Sequence, residues 1–117
     1  MAQAIIDFSW EAEEKHGTLV VSARGELDVY WSPRFRDALL GLIEGRDGLR
    51  VEIELSGLTF VDSSGLGVLV GAQRRLHERG GELALVNVPG PTYKALEASG
   101  LVTHLNVSPR EIDLTQP

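Results

Sequence analysis

The sequence predicts an α/β fold in which a mixed β-sheet carries helices packed mainly on one face. Segments with the two-residue apolar period of strands alternate with segments that have the longer period of amphipathic helices. Two strand segments come first and helices separate the later strands, so the predicted element order is ββαβαβαβ and the sheet is mixed. A chain of 117 residues has the size of one compact domain, and we expect residues 1–117 to form a single domain.

The N-terminal segment predicts an antiparallel hairpin. Three apolar residues alternate with polar ones, as in a half-buried strand: Ile6, Phe8 and Trp10. We expect this strand to end near Glu11. The polar residues up to Gly17 would then form a solvated turn before a second strand at residues 18–23.

A first helix is predicted to begin at Ser32. A serine followed by Pro33 has the pattern of an N-cap with proline at the first helical position, where its missing N–H does no harm. Apolar residues then recur at helical spacing: Phe35, Leu39, Leu42 and Ile43. Gly45 supplies a stop signal, so we expect an amphipathic helix that lies on the sheet.

A third strand and a second helix follow. Apolar and charged residues alternate over residues 49–55, which predicts a strand with one buried face. The second helical stripe runs from Leu66 to Leu76 and ends at residues 79–81. Gly67 and Gly71 lie one turn apart on it, and their missing side chains predict a close approach of this helix to the sheet.

The C-terminal third predicts two more strands and a short helix. Residues 82–88 form the fourth strand of the prediction, residues 89–91 open the third helix, and residues 99–100 end it. Residues 101–107 can form the last strand. Residues 108–111 have the Ser-x-x-Glu spacing of a capping box, and any helix that follows them would be short.

Composition and charge exclude several classes of function. Seventeen acidic and eleven basic side chains give a formal charge of −6, which repels nucleic acid and anionic lipid surfaces. There is no cysteine, so disulfides, thiolate metal sites and cysteine nucleophiles are excluded. No apolar run is long enough to cross a membrane, and the N-terminus lacks the pattern of a signal peptide. We therefore expect a cytoplasmic protein without membrane insertion.

The most informative residues are Asp62, Ser63, Ser64 and Gly65, where a strand passes into a helix N-terminus. Free backbone N–H groups and the helix dipole favour negative charge at such an end. A phosphate on Ser63 would add roughly −1.5 to −2 charges beside Asp62, enough to repel a docked partner. A purely structural alternative is that these residues cap the helix, and that Gly65 and Gly67 permit tight packing.

Motifs for catalysis, metal binding and nucleotide binding are missing. The histidines fall in a predicted turn, a helix and a strand without the spacing of a catalytic or metal site: His16, His77 and His104. No Gly-x-Ser-x-Gly elbow and no Gly-Lys-Ser/Thr phosphate loop occur. We therefore expect no enzymatic activity, no metal and no cofactor.

A basic patch is predicted on the second helix, at Arg74, Arg75 and Arg79. Such a patch fits an acidic partner surface, although a solvated helix face is the more common meaning of this pattern. The sequence leaves both interpretations open.

From Ile5 to Val107 the sequence resembles the anti-sigma factor antagonists, the single-domain members of the STAS family that release bacterial sigma factors from inhibitory kinases. The most specific stretch is residues 58–69, which looks like the phosphorylation segment of that family. Residues 25–28 and 99–101 agree at the expected places. The resemblance implies a STAS-like fold and a role in partner switching and transcription regulation.

The resemblance also implies a role for each residue of the segment. Ser63 would be the phosphate acceptor, Asp62 would help present it, and Ser64 would mainly cap the helix. The unphosphorylated protein would bind an anti-sigma factor serine kinase, phosphorylation would end the complex, and a metal-dependent serine phosphatase would restore it. ATP and Mg²⁺ would belong to these partners. The alternative is a constitutive STAS scaffold subunit of a lipid-transport or signalling complex.

The partner-binding residues expected on this basis form two segments: Asp28, Tyr30, Trp31, Asp62, Ser63, Ser64, Gly65 and Leu66. The family usually carries a small hydroxyl residue three positions after Asp28, and this sequence has Trp31 there instead. Together with Tyr30, Trp31 could anchor an interface, since aromatic residues concentrate in binding hot spots. It could equally fold over the first helix as a lid on the core.

Overall fold

The computed structural model describes residues 7–101 and 105–109. Within these ranges five strands and three helices follow one another in the predicted order ββαβαβαβ, which is confirmed. Their bounds are β1 (Phe8–Lys15), β2 (Thr18–Leu27), α1 (Ser32–Ile43), β3 (Arg50–Val61), α2 (Ser63–Glu78), β4 (Glu82–Val88), α3 (Gly90–Ala98) and β5 (Asn106–Pro109).

The sheet is mixed, as predicted, and its spatial order is β1-β2-β3-β4-β5. β1 is antiparallel to β2, and every other neighbouring pair is parallel. A helix joins each parallel pair. Because such crossovers are nearly always right-handed, a chain that moves in one direction across a sheet places its helices on the same face.

The core lies between this helical layer and one face of the sheet. On the central strand β3, Val51, Ile53 and Leu55 are fully buried, whereas Glu52 and Glu54 on the opposite face are only half-buried. The helices contribute buried side chains to the same cluster: Phe35, Leu39, Leu69, Leu76 and Leu96. The predicted packing of helices mainly on one face is confirmed.

The predicted end of the first strand near Glu11 is wrong. β1 continues to Lys15, which pairs with Thr18, and the turn contains only His16 and Gly17. Both turn residues have positive φ, 51° and 82°, as a tight two-residue hairpin turn requires. Residues 11–15 are exposed, so apolar alternation ends there although backbone pairing continues.

The second strand is also longer than predicted and runs to Leu27. Gly25 lies within it at φ 94°, and a Cβ at this position would lie 2.1 Å from the carbonyl oxygen of Asp7. The next residue, Glu26, donates its backbone N–H to the same Asp7 oxygen at 2.6 Å. Glycine is therefore required here by the close approach of the chain leading into β1.

Ser32 is not the N-cap of α1. That position belongs to Trp31, whose side chain makes no capping bond, and Ser32 is the first helical residue. The turn before the helix is held by Asp28, whose Oδ1 accepts the backbone N–H groups of Tyr30 and Trp31, both at 3.0 Å. The expected stop at the other end is present, since Gly45 has φ 74°.

The predicted role of Gly67 and Gly71 is wrong as well. Both are exposed, and a Cβ added to either would meet nothing within 4 Å. The glycine that packs closely is Gly65, where a Cβ would lie 2.7 Å from Val61 Cγ2 and 2.8 Å from the Leu27 carbonyl oxygen. Close approach thus occurs in the first turn of α2, where the helix leaves the sheet.

Near the C-terminus, β4 and α3 match the prediction closely. The last strand begins at Asn106 rather than at Leu101. Ser108 and Pro109 lie in this strand, whereas Arg110 and Glu111 of the predicted capping box and the helix after them fall outside the described residues, as does His104. In the part of the chain that the structure describes, no helix is long and apolar enough to span a membrane.

Candidate functional site

The site lies where two parallel strands end together. β4 pairs with β3 only along residues 50–54, whereas β2 accompanies β3 as far as the pair Leu27 and Val61. Beyond these residues the chain forms the segment 28–31 on one side and Asp62 with the start of α2 on the other. The carboxyl ends of parallel strands are the usual place for binding sites in open α/β sheets.

Asp62 is the N-cap of α2. Its Oδ1 accepts the backbone N–H of Ser64 at 3.0 Å and that of Gly65 at 3.1 Å, and it also accepts the Ser64 hydroxyl. These bonds satisfy N–H groups that lack a partner within the helix.

The same bonds hold the pKa of the Asp62 carboxyl below its ordinary value. The Ser64 hydroxyl is the largest cause, partial burial opposes it, and the backbone N–H groups of Gly65, Ser64 and Val29 reinforce it. Hydrogen bonds to the charged form stabilise that form. Asp62 is therefore an ionised carboxylate at neutral pH.

Ser63 is exposed and is the first residue of α2. Its side chain makes no hydrogen bond with any residue that the structure describes. The exposed Ser63 thus lies at a helix N-terminus, in the residue that follows Asp62. Of the two neighbouring serines, Ser63 is the one whose hydroxyl is available to another molecule.

Ser64 does not cap the helix by itself, since the capping oxygen belongs to Asp62. Its hydroxyl instead donates to Asp62 and lies 3.3 Å from the hydroxyl of Ser32 in the first turn of α1. Ser32 is 2% exposed and also donates to the Asp28 carbonyl oxygen at 2.6 Å. Ser64 and Ser32 thereby connect the two helix starts.

This role of Ser32 escaped the sequence analysis, although a signal for it exists. Ser32 is in register with the buried stripe of α1, which continues through Phe35, Leu39 and Ile43. A polar residue on the apolar stripe of a helix requires a hydrogen-bond partner, because burying an unpaired hydroxyl is costly.

Large exposed apolar side chains lie in the two segments that lead into α1 and α2. Val29 is 73% exposed, Tyr30 is 56% exposed and Phe60 is 48% exposed. Val29 reaches Asp62 through its backbone N–H, and Phe60 precedes Asp62 by two residues at the end of β3. Large exposed apolar residues are informative when they cluster, since such patches mark interaction surfaces.

Val29 and Phe60 were not among the partner-binding residues expected from the sequence. Phe60 lies near the end of β3, beyond the two register shifts between β2 and β3 at Ser22/Arg24 and Gly25/Glu26. Simple alternation from Val51, Ile53 and Leu55 already places Phe60 away from the core, so an exposed aromatic residue at this position was a signal that the sequence offered.

Tyr30 and Trp31 differ in their surroundings. Trp31 is half-buried and packs against the core, with its ring centroid 6.1 Å from that of Phe8. Tyr30 remains outside, where the Arg34 guanidinium lies 3.9 Å from its ring centroid and donates to its carbonyl oxygen at 2.7 Å. Trp31 thus covers the core, and Tyr30 offers the exposed aromatic surface.

The structure brings the expected partner-binding residues together but exposes only some of them. Tyr30 and Ser63 are exposed, whereas Gly65 and Leu66 are buried within the first turn of α2. The others are half-buried: Asp28, Trp31, Asp62 and Ser64. Buried members of the set shape the site, and exposed members are able to touch another protein.

The described residues offer no arrangement for metal chemistry. Within ranges 7–101 and 105–109, no group of three or more histidine and acidic side chains lies close enough to hold a metal ion. His16 lies in the hairpin turn and His77 lies in α2, as the sequence predicts, and both are exposed.

Comparison with known proteins relates this geometry to a family. Residues 9–113 match the STAS domain family. The chain is 34% identical over 103 residues to the anti-sigma F factor antagonist of Paenibacillus polymyxa, and the match covers 88% of each chain. It is 31% identical over 98 residues to the anti-sigma-B factor antagonist of Bacillus subtilis, covering 84% of this chain and 88% of the relative.

Solved structures agree with the sequence comparison. The anti-sigma factor antagonist SpoIIAA in its unphosphorylated form superimposes with a TM-score of 0.73 at 26% identity, covering 86% of this chain and 88% of SpoIIAA. The phosphorylated form of the Bacillus protein gives a TM-score of 0.66 at the same identity, with 86% and 91% covered.

Proposed function

The chain belongs to the STAS domain family, and from that premise we propose that it is an anti-sigma factor antagonist controlled by phosphorylation of Ser63. In its unphosphorylated form it binds an anti-sigma factor serine kinase and thereby frees a sigma factor. Phosphorylation of Ser63 ends this binding, and a metal-dependent serine phosphatase restores it. The protein acts in the cytoplasm, where sigma factors work.

One observation carries the proposal: Ser63 is exposed at a helix N-terminus, beside an ionised carboxylate and close to exposed apolar side chains. A kinase can reach its hydroxyl without unfolding the helix. The exposed side chains of Val29, Tyr30 and Phe60 give the kinase an apolar surface to bury. A SpoIIAA structure in a phosphorylated form supports the same chemistry in a relative.

Phosphoryl transfer needs little chemistry from this chain. The Ser63 oxygen attacks the γ-phosphorus of ATP bound to the kinase, the bond to the departing ADP breaks, and the hydroxyl proton passes to a base of the kinase or to water. Asp62 is a poor base because its pKa is lowered. Its contribution is to fix the first turn of α2, so that Ser63 is presented in one orientation.

The phosphorylated form is stable as a fold but unfavourable for the complex. The N–H groups and dipole at the start of α2 tolerate a phosphate. In the complex, however, the dianion would lie beside the Asp62 carboxylate within a surface that the kinase covers. Like-charge repulsion and the cost of removing water from two charges then weaken binding.

The test is phosphorylation of the purified protein by an anti-sigma factor serine kinase with Mg-ATP, followed by intact-mass measurement and peptide mapping. We expect one phosphate, located on Ser63 and absent from Ser63→Ala. Ser64→Ala is the matched control and should still accept the phosphate, because Ser64 is half-buried and its hydroxyl is engaged by Asp62.

Binding to the kinase completes the test. Ser63→Ala should bind like the unmodified protein, and Ser63→Asp should bind much more weakly. If an active kinase leaves the protein unmodified and Ser63→Asp binds normally, the phosphorylation switch is refuted and the constitutive scaffold becomes the better explanation.

A further inference from the structure

An open groove runs along α2 from Ser63. It has a volume of about 370 Å³ and lies between α2 and the chain that follows α3. Its apolar wall is formed by Leu66, Val70 and Leu101, with Ser63 at one end and Arg74 further along the helix. The site of phosphorylation proposed above is thus one end of a longer concave surface.

Helix geometry defines how this groove is arranged. Ser63 and Arg74 are eleven residues apart, which is close to three turns, so they share one face of α2 and are separated by about 16 Å along its axis. Gly67 and Gly71 also line the groove, and a Cβ at either position would meet nothing within 4 Å. No side chain therefore projects from the helix at these two positions, and another chain can approach the helix backbone closely.

Arg74 differs in its ion pairing from Arg75, its neighbour in α2, and from Arg79 at the C-cap of that helix. Arg75 lies 3.7 Å from a carboxylate oxygen of Glu44, and Arg79 lies 2.9 Å from one of Asp47. Arg74 is exposed and forms no ion pair with any residue in the described ranges. It is a positive charge available to another molecule, within a chain whose net charge is −6.

We propose that this groove is a second docking surface for the anti-sigma factor serine kinase, which places an apolar side chain against Val70 and Leu101 and a carboxylate against Arg74. The inference rests on the proposed function. A kinase that phosphorylates Ser63 has to cover that end of the groove, and the groove continues directly from it. On an acidic protein, an exposed cation without an ion pair also favours the place where an acidic partner surface binds, because acidic surface elsewhere would repel that partner.

The test compares two charge reversals on adjacent residues of the same helix. Arg74→Glu removes the available cation, whereas Arg75→Glu makes the same change in net charge at the neighbouring, ion-paired residue. We expect Arg74→Glu to raise the Kd for the kinase about tenfold or more, and Arg75→Glu to change it by about twofold at most. Wild-type binding should also weaken more with added salt than binding of Arg74→Glu does.

Phosphorylation kinetics separate this proposal from the one on which it rests. Arg74→Glu should raise the KM for phosphorylation and leave kcat at saturation nearly unchanged, since Ser63 itself is intact. Equal effects of the two reversals, or no effect of either, would overturn the groove proposal while phosphorylation of Ser63 still stands. A wild-type protein that the kinase neither binds nor phosphorylates would instead overturn both.

Discussion

Asp62 Oδ1 is both the cap of α2 and the acceptor of the Ser64 hydroxyl. Sequence analysis identified Asp62 and Ser63 from the resemblance and from their place before a helical stripe. It could not distinguish which residue caps the helix, because aspartate and serine are about equally good caps. The capping residue depends on the backbone angles where β3 ends, and these are a property of the fold.

Replacing Asp62 should separate the capping effect from the charge effect. Asp62→Ala removes the acceptor of two N–H groups and should lower the free energy of unfolding by about 1 kcal/mol. Asp62→Asn keeps an acceptor and should retain most of that stability. Urea denaturation at pH 7 measures both variants, and equal losses would show that the side-chain oxygen does not cap the helix.

The lowered pKa of Asp62 also predicts how the stability difference between wild type and Asp62→Asn depends on pH. A carboxyl whose pKa is lowered in the folded state stabilises the protein above its unfolded value of about 3.9, and this stabilisation is lost as the pH falls through the folded value. The stability difference between wild type and Asp62→Asn should therefore be constant from about pH 5 to about pH 7. It should shrink in more acidic solution. A difference that grows on acidification would contradict this assignment.

Ser32 provides a second prediction for a single residue. Ser32→Ala removes a buried hydroxyl that donates to the Asp28 carbonyl oxygen and contacts Ser64, and it should cost about 1 kcal/mol of unfolding free energy. Ser63→Ala is the control, because its exposed hydroxyl bonds to no described residue, and it should be nearly neutral. Thermal denaturation of both variants is the measurement.

Among the elements, α2 was predicted correctly as a helix, but the orientation of its glycines was not. The stripe from Leu66 to Leu76 predicts the helix itself, since burial imposes its period. The orientation of Gly67 and Gly71 was predicted wrongly, because a glycine carries no information on whether its missing side chain faces a neighbour or solvent. Only the packing of α2 on β3 decides this.

Two glycine substitutions within α2 should act in opposite directions. Gly65→Ala places a Cβ within 2.8 Å of the Leu27 carbonyl oxygen and should destabilise the fold by about 1–3 kcal/mol. Gly67→Ala meets nothing within 4 Å and should stabilise the helix by up to about 1 kcal/mol through its helix propensity. Equilibrium denaturation of both tests this, and changes of the same sign would refute the packing described here.

The hairpin illustrates why strand existence is easier to predict than strand ends. Alternation at the start of β1 reflects burial against the helices, and it stops where the strand passes beyond them. Backbone hydrogen bonds continue to Lys15 without any apolar signal. The turn of His16 and Gly17 could have been recognised only as a variant of the Asn-Gly pattern that favours such turns.

For the whole molecule, strand order and one-sided helix packing follow from the succession of elements and from the handedness of crossovers. The function does not follow from this arrangement, since one fold supports many functions. The resemblance over residues 58–69 directed attention to Ser63. Exposure and hydrogen bonding then distinguished it from Ser64, whose hydroxyl has the same chemistry but is half-buried and bonded to Asp62.

That residues 1–117 form a single domain stays a prediction at this scale. The core cluster extends across the helices and the sheet, so its parts should unfold together. We expect one cooperative transition that coincides by circular dichroism and by calorimetry. Two separated transitions would show that the chain contains a second cooperative unit.

Both tryptophans of the chain lie where the exposed Tyr30 meets the core. The ring centroids of Trp10 and Trp31 are 6.0 Å and 6.1 Å from that of Phe8, and Tyr30 packs edge-on against Trp31 at 5.2 Å. The intrinsic fluorescence of the protein therefore originates beside the surface that a partner would cover. A partner that covers Tyr30 should change the fluorescence emission of Trp31. Complex formation can therefore be followed by tryptophan fluorescence of the unlabelled protein.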